Sequence, residues 1–314
     1  MKYDLYYVSR GAGRIHGCRW EPQGQPKGVV QIVHGIAEHI DRFESVAIYL
    51  NSLGYVVVAE DHMGHGRSIS DECPQGYFHG GWFAAVDDTM ALMKYTMRKY
   101  AGLPYIMIGI SMGSFMLRTI LAKYPHSGLS GAVICGTAWQ DAAVLRAGKT
   151  LCGLICRTSN ETKPNAFLQN MLFGSYNKGI PNPASPNAWL CRDEDVVNAY
   201  DEDPLCGFAA SSGLYRDMME GLSYIQNTQH LEAMEKALPV LFIAGDRDPV
   251  GNYGRGVETC AEAFRQNGME HVSVRIYPGY RHDILNEVDK LTVWTDLRDW
   301  LEESVVSIKY EIMD

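Results

Sequence analysis

The sequence predicts an α/β fold, a mostly parallel central sheet flanked by helices on both faces. Three observations point there. Apolar runs of strand length recur along the chain, segments of helical period separate them, and the runs end in Gly or Asp. Most of these runs are continuous and do not alternate with polar residues, as befits strands buried on both faces. A chain of 314 residues, 46% apolar and 21% charged, suits one α/β domain with an insertion.

The first twenty residues, "MKYDLYYVSRGAGRIHGCRW", read as an antiparallel pair feeding the sheet. "GVVQIVHG", "GYVVVAED", "YIMIG", "GAVICG" and "PVLFIAGD" follow as fully buried strands. "HVSVRIYPG" alternates at Val272, Val274 and Ile276, which suits a strand nearer the sheet edge. Between the strands, Met116, Ile120 and Tyr124 share a helix face, and so do Val257, Cys260, Ala261 and Phe264 before Gly268. Leu291, Trp294, Leu297 and Leu301 define a third helix. From 137 to 230 the rhythm breaks: no clear buried strand is present, and the turn-rich "KGIPNPASPN" is surrounded by Trp139, Phe167, Met171, Leu172, Phe173, Trp189, Phe208 and Tyr215. A structureless loop of that length does not fit a compact domain. The division is therefore a core of 1–136 and 231–314 with a mostly helical cap of 137–230.

The net charge of -9, without a basic stripe, excludes nucleic acid as a partner. The N-terminal stretch has no apolar signal core, and no run reaches the roughly eighteen apolar residues of a membrane span. The eight cysteines form no CxxC pair and no zinc-ligand rhythm, so they read as packing residues in a reducing compartment. These features predict a cytoplasmic protein with no metal. The oligomeric state is open.

The chemistry centres on "YIMIGISMGSF". Among 31 glycines, a GxSxG pattern alone says little. Its context says more: a buried strand runs into Ser111 and an amphipathic helix, Met112 to Tyr124, runs out. That junction forces the Ser111 side chain above the carboxyl edge of the sheet, and Gly109 and Gly113 are required because a Cβ would collide there. A serine hydroxyl needs a base to take its proton and a carboxylate to orient that base. His282 in "YPGYRHDILNE" follows the last strand, at the same edge. After "PVLFIAG" come Asp246 and Asp248; Asp248 is preferred because it lies farther out and Pro249 favours an extended backbone before it. For the oxyanion, the N–H of Met112 and that of Ile36 are the candidate donors, Gly35 in "QIVHGIAEHIDRF" letting the chain turn.

Together "HGIAEH", "DHMGHGRS", "GISMG", "GDRDPVG" and "YPGYRHDILNE" resemble the α/β-hydrolase superfamily, in particular its monoacylglycerol lipase/lysophospholipase-like branch, which includes serine aminopeptidase relatives. The resemblance spans nearly the whole chain. It implies the α/β-hydrolase fold with a helical cap inserted between core strands 6 and 7. It also implies a triad of Ser111, Asp248 and His282, oxyanion donors at Ile36 and Met112, no cofactor, and a small ester as substrate. Two departures stand out: Ile110 occupies a position where the family often has His, and the cap shows no recognisable glycerol-binding pattern.

Other polar groups read more simply. His34, His39, His62 and His65, with Asp61, have no helical ligand spacing and do not suggest a metal. "DHMGHGRS" fixes the loop after the fourth strand, with Arg67 tied to local carbonyls or a carboxylate. Glu38 and Arg42, four apart, read as an ion pair within one helix. The leading function is a serine carboxylic-ester hydrolase. An aminopeptidase or amidase, using carboxylates of "CRDEDVVNAYDEDP" to hold a substrate amine, is the alternative within the class, and a non-catalytic small-molecule-binding homologue is the one outside it. An Asp-nucleophile dehalogenase or epoxide hydrolase is disfavoured because the nucleophile position holds Ser111.

Overall fold

The computed structural model describes residues 1–306. Eight strands form one sheet: β1 (Lys2–Val8), β2 (Arg14–Trp20), β3 (Gly28–Val33), β4 (Tyr55–Glu60), β5 (Tyr105–Ile110), β6 (Gly131–Cys135), β7 (Val240–Gly245) and β8 (Val272–Tyr277). Their spatial order is β1-β2-β4-β3-β5-β6-β7-β8. β1 and β2 pair antiparallel, β2 joins β4 antiparallel, and all remaining pairings are parallel. β3 to β7 are buried along their whole length, which is why their sequences do not alternate. β8 is an edge strand and is only half-buried, in keeping with its alternation.

Two apolar layers enclose the sheet. On one face, α1 (Glu44–Ser52) and α10 (Lys290–Leu301) cover Ile32, Val57, Ile108 and Val133 through Val46, Leu50, Val293 and Leu297. On the other, α2 (Gly81–Lys99), α3 (Met112–Lys123) and α9 (Arg255–Gln266) cover Val29, Met107, Ile134 and Phe242 through Trp82, Val86, Leu117, Ile120 and Phe264. Among the described residues, no helix is long and apolar enough to cross a membrane. All eight cysteines are free, and seven of them are buried.

Between β6 and β7 lies the cap, with α4 (Ala142–Thr158), α5 (Ala166–Phe173), α6 (Glu194–Glu202), α7 (Ser212–Ile225) and α8 (Thr228–Glu232). Each helix starts on a polar side chain that accepts an otherwise unpaired backbone N–H: Asp141, Asn165, Asp193, Ser211 and Asn227. α7 anchors the cap to the core, burying Leu214, Met218, Leu222 and Ile225 against α2 and α3. The turn-rich stretch around Pro181–Pro186 stays irregular, with Asn182 at φ 45°.

The registers matter for function. Ile110 lies level with Cys135, Cys135 with Ile243, and Gly245 with Tyr277. The loops that follow these strands therefore leave from one rim of the sheet. Val33 lies level with Gly109, so the loop after β3 leaves there too, and together these loops carry Ile36, Ser111, Gly136, Asp248 and His282.

Candidate active site

Ser111 sits between β5 and α3 with φ 53° and ψ -119°. This backbone is costly for a residue with a Cβ, on the order of 1–3 kcal/mol. Flanking bonds hold it: the Ser111 N–H donates to Cys135 O at 3.0 Å, and the Ser114 N–H donates to Ser111 O at 2.9 Å. Space matters equally. A Cβ on Gly109 would fall 2.5 Å from Gly113 O, and one on Gly113 would fall 2.0 Å from Val33 O. The two glycines thus let β5, α3 and β3 close up behind the serine, as the pattern predicts.

His282 is buried, and its Nδ1 lies 2.9 Å from Oδ2 of Asp248. A carboxylate accepts only, so the Nδ1 carries the proton and Nε2 is left with a lone pair. The other Asp248 oxygen accepts the Val250 N–H at 2.8 Å, and the residue is fully buried. Asp246 has a different job: its Oδ1 accepts the Gly279 N–H at 2.7 Å, latching the loop after β8. Burial pulls the His282 pKa down, but the charge and hydrogen bond of Asp248 outweigh it and the net shift is upward. The ring rests beside Trp189 of the cap, with centroids 5.1 Å apart.

Ser111 and His282 line one cavity together with Ile36. Gly35 brings the loop after β3 close, since a Cβ there would lie 3.0 Å from Ser111 Cβ. Ile36 and Met112 flank Ser111 on the walls of a second cavity, and Met112 N–H, being first in α3, has no acceptor within the helix. Ile36, Ser111, Met112 and His282 thus border two adjoining cavities, and Asp248 reaches them through His282.

The site opens on two sides. Toward Glu38, Arg42, Asn187, Tyr200 and Asp283 is a narrow compartment of about 60 Å³, which sets these polar groups among the apolar faces of Ile110, Phe173, Leu190 and Phe208. Toward the cap is a larger chamber of about 490 Å³. Its walls are mainly apolar: Phe115, Trp139, Val144, Leu145, Met171, Leu172, Met218, Met219 and Leu222. Ser111, Ile36 and Phe173 border both. Of the cap aromatics noted in the sequence, Trp139 and Phe173 face the chamber, while Trp189, Phe208 and Tyr215 face the narrow compartment with Phe173. Phe167 points to solvent.

Several polar groups differ from their sequence reading. Glu38 and Arg42 do pair, but Glu38 precedes the short helical turn Ile40–Phe43 and is not helical. Arg42 has a second partner, Asp283, at 2.5 Å. Sequence reasoning missed Asp283, although it directly follows His282. It also missed Gly136, at φ 56°, where a Cβ would fall 2.9 Å from His282 Cε1. His34 and His62 stack at 3.9 Å, and the His34 Nε2 accepts the His62 N–H. Burial and the neighbouring His62 hold His34 well below its ordinary pKa, and burial holds His65 down at about 3. His34 and His65 are therefore neutral, and the bond between His34 and the His62 N–H ties the oxyanion-candidate loop to the one after β4. Asp61 orders that second loop, accepting from Ile40 N–H and Arg67 N–H and bonding His16 Nδ1 at 2.8 Å. The Arg67 side chain reaches Asp4 and Asp41.

Comparison with known proteins fits this geometry. The family described as serine aminopeptidase, S33, matches residues 24–289. The chain belongs to that family of α/β-hydrolases. It is 28% identical to a monoacylglycerol lipase of Mycolicibacterium smegmatis over 94% of this chain and 95% of the relative. It is 24% identical to the monoglyceride lipase of Homo sapiens over 96% of this chain and 91% of that one. Among solved structures, a thermostable carboxyl esterase from Bacillus coagulans, in complex with glycerol, superposes with a TM-score of 0.86 at 30% identity. That match covers 100% of this chain and 99% of the esterase. These likenesses place the chain in the monoglyceride lipase-like branch.

Proposed function

We propose that this carboxylic-ester hydrolase works through Ser111, His282 and Asp248 and takes a monoacylglycerol as its substrate. The observation that carries the reading is the Asp248–His282 hydrogen bond beside Ser111, where a narrow compartment holding Glu38 and Asn187 meets a larger, mainly apolar chamber. An acyl chain seats in the chamber lined by Met218, Leu222 and Leu145, and a small hydroxylated alcohol portion seats near Glu38 and Asn187. The relatives' names, and the glycerol held by the esterase, support that division. Lysophospholipid is the next ester to compare.

The chemistry follows from the geometry. Asp248 fixes the His282 tautomer, so Nε2 takes the Ser111 proton as Oγ attacks the ester carbonyl. The negative charge that develops on the carbonyl oxygen is met by the N–H groups of Ile36 and Met112, worth about 3 kcal/mol for each donor. His282 then gives its proton to the departing alcohol, leaving an acyl-Ser111. Water, deprotonated by the same imidazole, attacks the acyl group and the serine is regenerated. The sequence names no cofactor and the mechanism needs none. The eight free cysteines support a reducing, cytoplasmic setting.

The amidase reading loses its main support. Three of the six carboxylates of residues 191–204 are engaged elsewhere: Asp193 caps α6, Asp201 binds Ser185 and Asn187, and Asp203 pairs with His39 at 2.8 Å. None of them lines either cavity. No observation favours a binding-only protein. The test is turnover of monoacylglycerol and p-nitrophenyl esters by the wild type and Ser111→Ala, with fluorophosphonate labelling alongside. The expected result is labelling of wild type alone and loss of turnover in the variant. A folded Ser111→Ala chain that still cleaves esters would end the proposal.

A further inference from the structure

We propose that Arg42 is a positioning residue whose guanidinium braces the loop carrying Ile36 against the loop carrying His282. The inference rests on reading Ser111 and His282 as nucleophile and base. It starts from a conflict of charge: Glu38 and Asp283 come from segments 245 positions apart (283 − 38), both buried, both facing one compartment. Two carboxylates brought that close repel, and each loses hydration. One nitrogen of Arg42 bonds Glu38 and another bonds Asp283 at 2.5 Å, so a single cation sits between them. A planar fork suits this, since its donors diverge in fixed directions; a lysine ammonium is a point charge on a flexible stem.

Each end of the brace reaches the reacting centre. The remaining oxygen of Glu38 accepts the Gly35 N–H at 2.6 Å, which shapes the turn presenting Ile36. Asp283 is the residue after His282. Its carboxylate is gripped by Asn286 Nδ2 at 3.0 Å to both oxygens, and its N–H donates to Leu190 O at 2.7 Å. The Arg42 guanidinium lies over the Tyr200 ring at 4.8 Å, and the Tyr200 hydroxyl donates to Ala37 O at 2.9 Å. Three elements distant in sequence are thereby fixed around one guanidinium. Burial weakens Arg42 as a cation, but Asp283 and Glu38 outweigh that effect, so it keeps its charge.

The brace leaves an electrical signature. The charged groups facing His282 are Asp248 after β7, Asp283 on its own loop, and Glu38 and Arg42 from the segment after β3. The cap contributes the Trp189 ring and the Tyr200 phenol, with Tyr176 packed against Trp189. Asp283 and Glu38 favour the imidazolium. Removing their charge lowers the pH at which His282 protonates, whereas removing only the Arg42 charge raises it.

The test measures kcat, KM and the pH profile with p-nitrophenyl butyrate. It uses wild type, Arg42→Lys, Arg42→Met, and the neutral triple variant Glu38→Gln/Arg42→Met/Asp283→Asn. The triple variant leaves no unpaired buried charge, which keeps folding apart from positioning. The expected result is a loss of about tenfold or more in kcat, with KM changed much less, in all three variants. Arg42→Lys fails to rescue, and the acid limb of kcat/KM moves to lower pH in the triple variant and to higher pH in Arg42→Met. Wild-type kcat with an unmoved acid limb in the folded triple variant would overturn the proposal; should that chain not fold, wild-type kcat in Arg42→Lys would do so. Ser111→Ala separates the two layers: residual turnover there defeats the catalytic reading itself, whereas an inactive Ser111→Ala beside fully active Arg42 variants defeats only the brace.

Discussion

Gly136→Ala tests the site with one carbon atom. Gly136 follows β6 at φ 56°, and an added Cβ would stand 2.9 Å from His282 Cε1 and 3.0 Å from Nδ1. Non-bonded carbons settle at about 3.5–4.0 Å, so the imidazole must retreat by roughly 0.5–1 Å. It has little freedom to do so, since Asp248 holds Nδ1 and Trp189 lies alongside. A displacement near 1 Å at a reacting group costs on the order of 10²-fold in rate. The positive φ adds a separate stability loss of about 1–2 kcal/mol, or a few degrees in Tm. Gly24→Ala supplies the control: Gly24 has φ 89° and nothing within 4 Å of an added Cβ. Both variants should lose a similar increment of Tm by calorimetry, and only Gly136→Ala should lose kcat/KM on p-nitrophenyl butyrate. Full activity in Gly136→Ala would refute the claim that His282 must occupy the position described.

Three further outcomes are open to measurement. The net upward shift of His282 means its imidazolium persists above the ordinary value of 6.5, so kcat/KM falls as pH drops through a point above that value; Asp248→Asn should move this limb down and cut kcat by about 10⁴-fold. Met218→Trp, placed in the apolar chamber, should depress long-chain ester hydrolysis strongly while sparing butyrate, as read from a chain-length series. Burial pushes the Asp88 carboxyl up to about 7, against hydrogen bonds from Ser9 and the Arg10 N–H at 2.6 Å each. Because the folded pKa lies above the unfolded value of 3.8, this group withdraws stability as pH rises from about 4 to 7; Asp88→Asn should therefore flatten the fall in Tm across that window.

Much of the core was legible because burial on both faces leaves a direct mark on sequence. β4, β5, β6 and β7 appear as continuous apolar runs and β3 as one interrupted only by Gln31, and their carboxyl ends announce where loops with chemistry must lie. Ser111 and Asp248 each follow such a run, His282 follows the alternating edge strand β8, and the structure brings Asp248 and His282 into hydrogen-bond contact. Position on the loop and Pro249 favour Asp248 over Asp246 in the sequence itself, and the coordinates add that Asp246 accepts the Gly279 N–H while Asp248 meets His282. Glu38 misled because spacing of four residues suggests a helix, whereas the chain there is a turn closed by the Gly35 N–H. The bonds of Arg42 to Asp283 and of His39 to Asp203 join residues far apart in the chain, and pairings of that kind leave no local pattern. The cap walls were unreadable for a related reason: helix faces of α4, α5 and α7 point into the chamber or away from it according to tertiary packing.

The carbonyl of Ala37 accepts from both the Tyr200 hydroxyl and the Gly207 N–H, so cap residues are fastened directly to the turn that presents Ile36. Ala37 itself is held at φ 53°, an uphill backbone that those two bonds help to secure. On the proposed reading of Ile36 as an oxyanion donor, the placement of these cap residues is therefore felt at the amide that faces the developing negative charge. Under that reading, one carbonyl ties the walls that enclose the substrate to the donor that answers its charge.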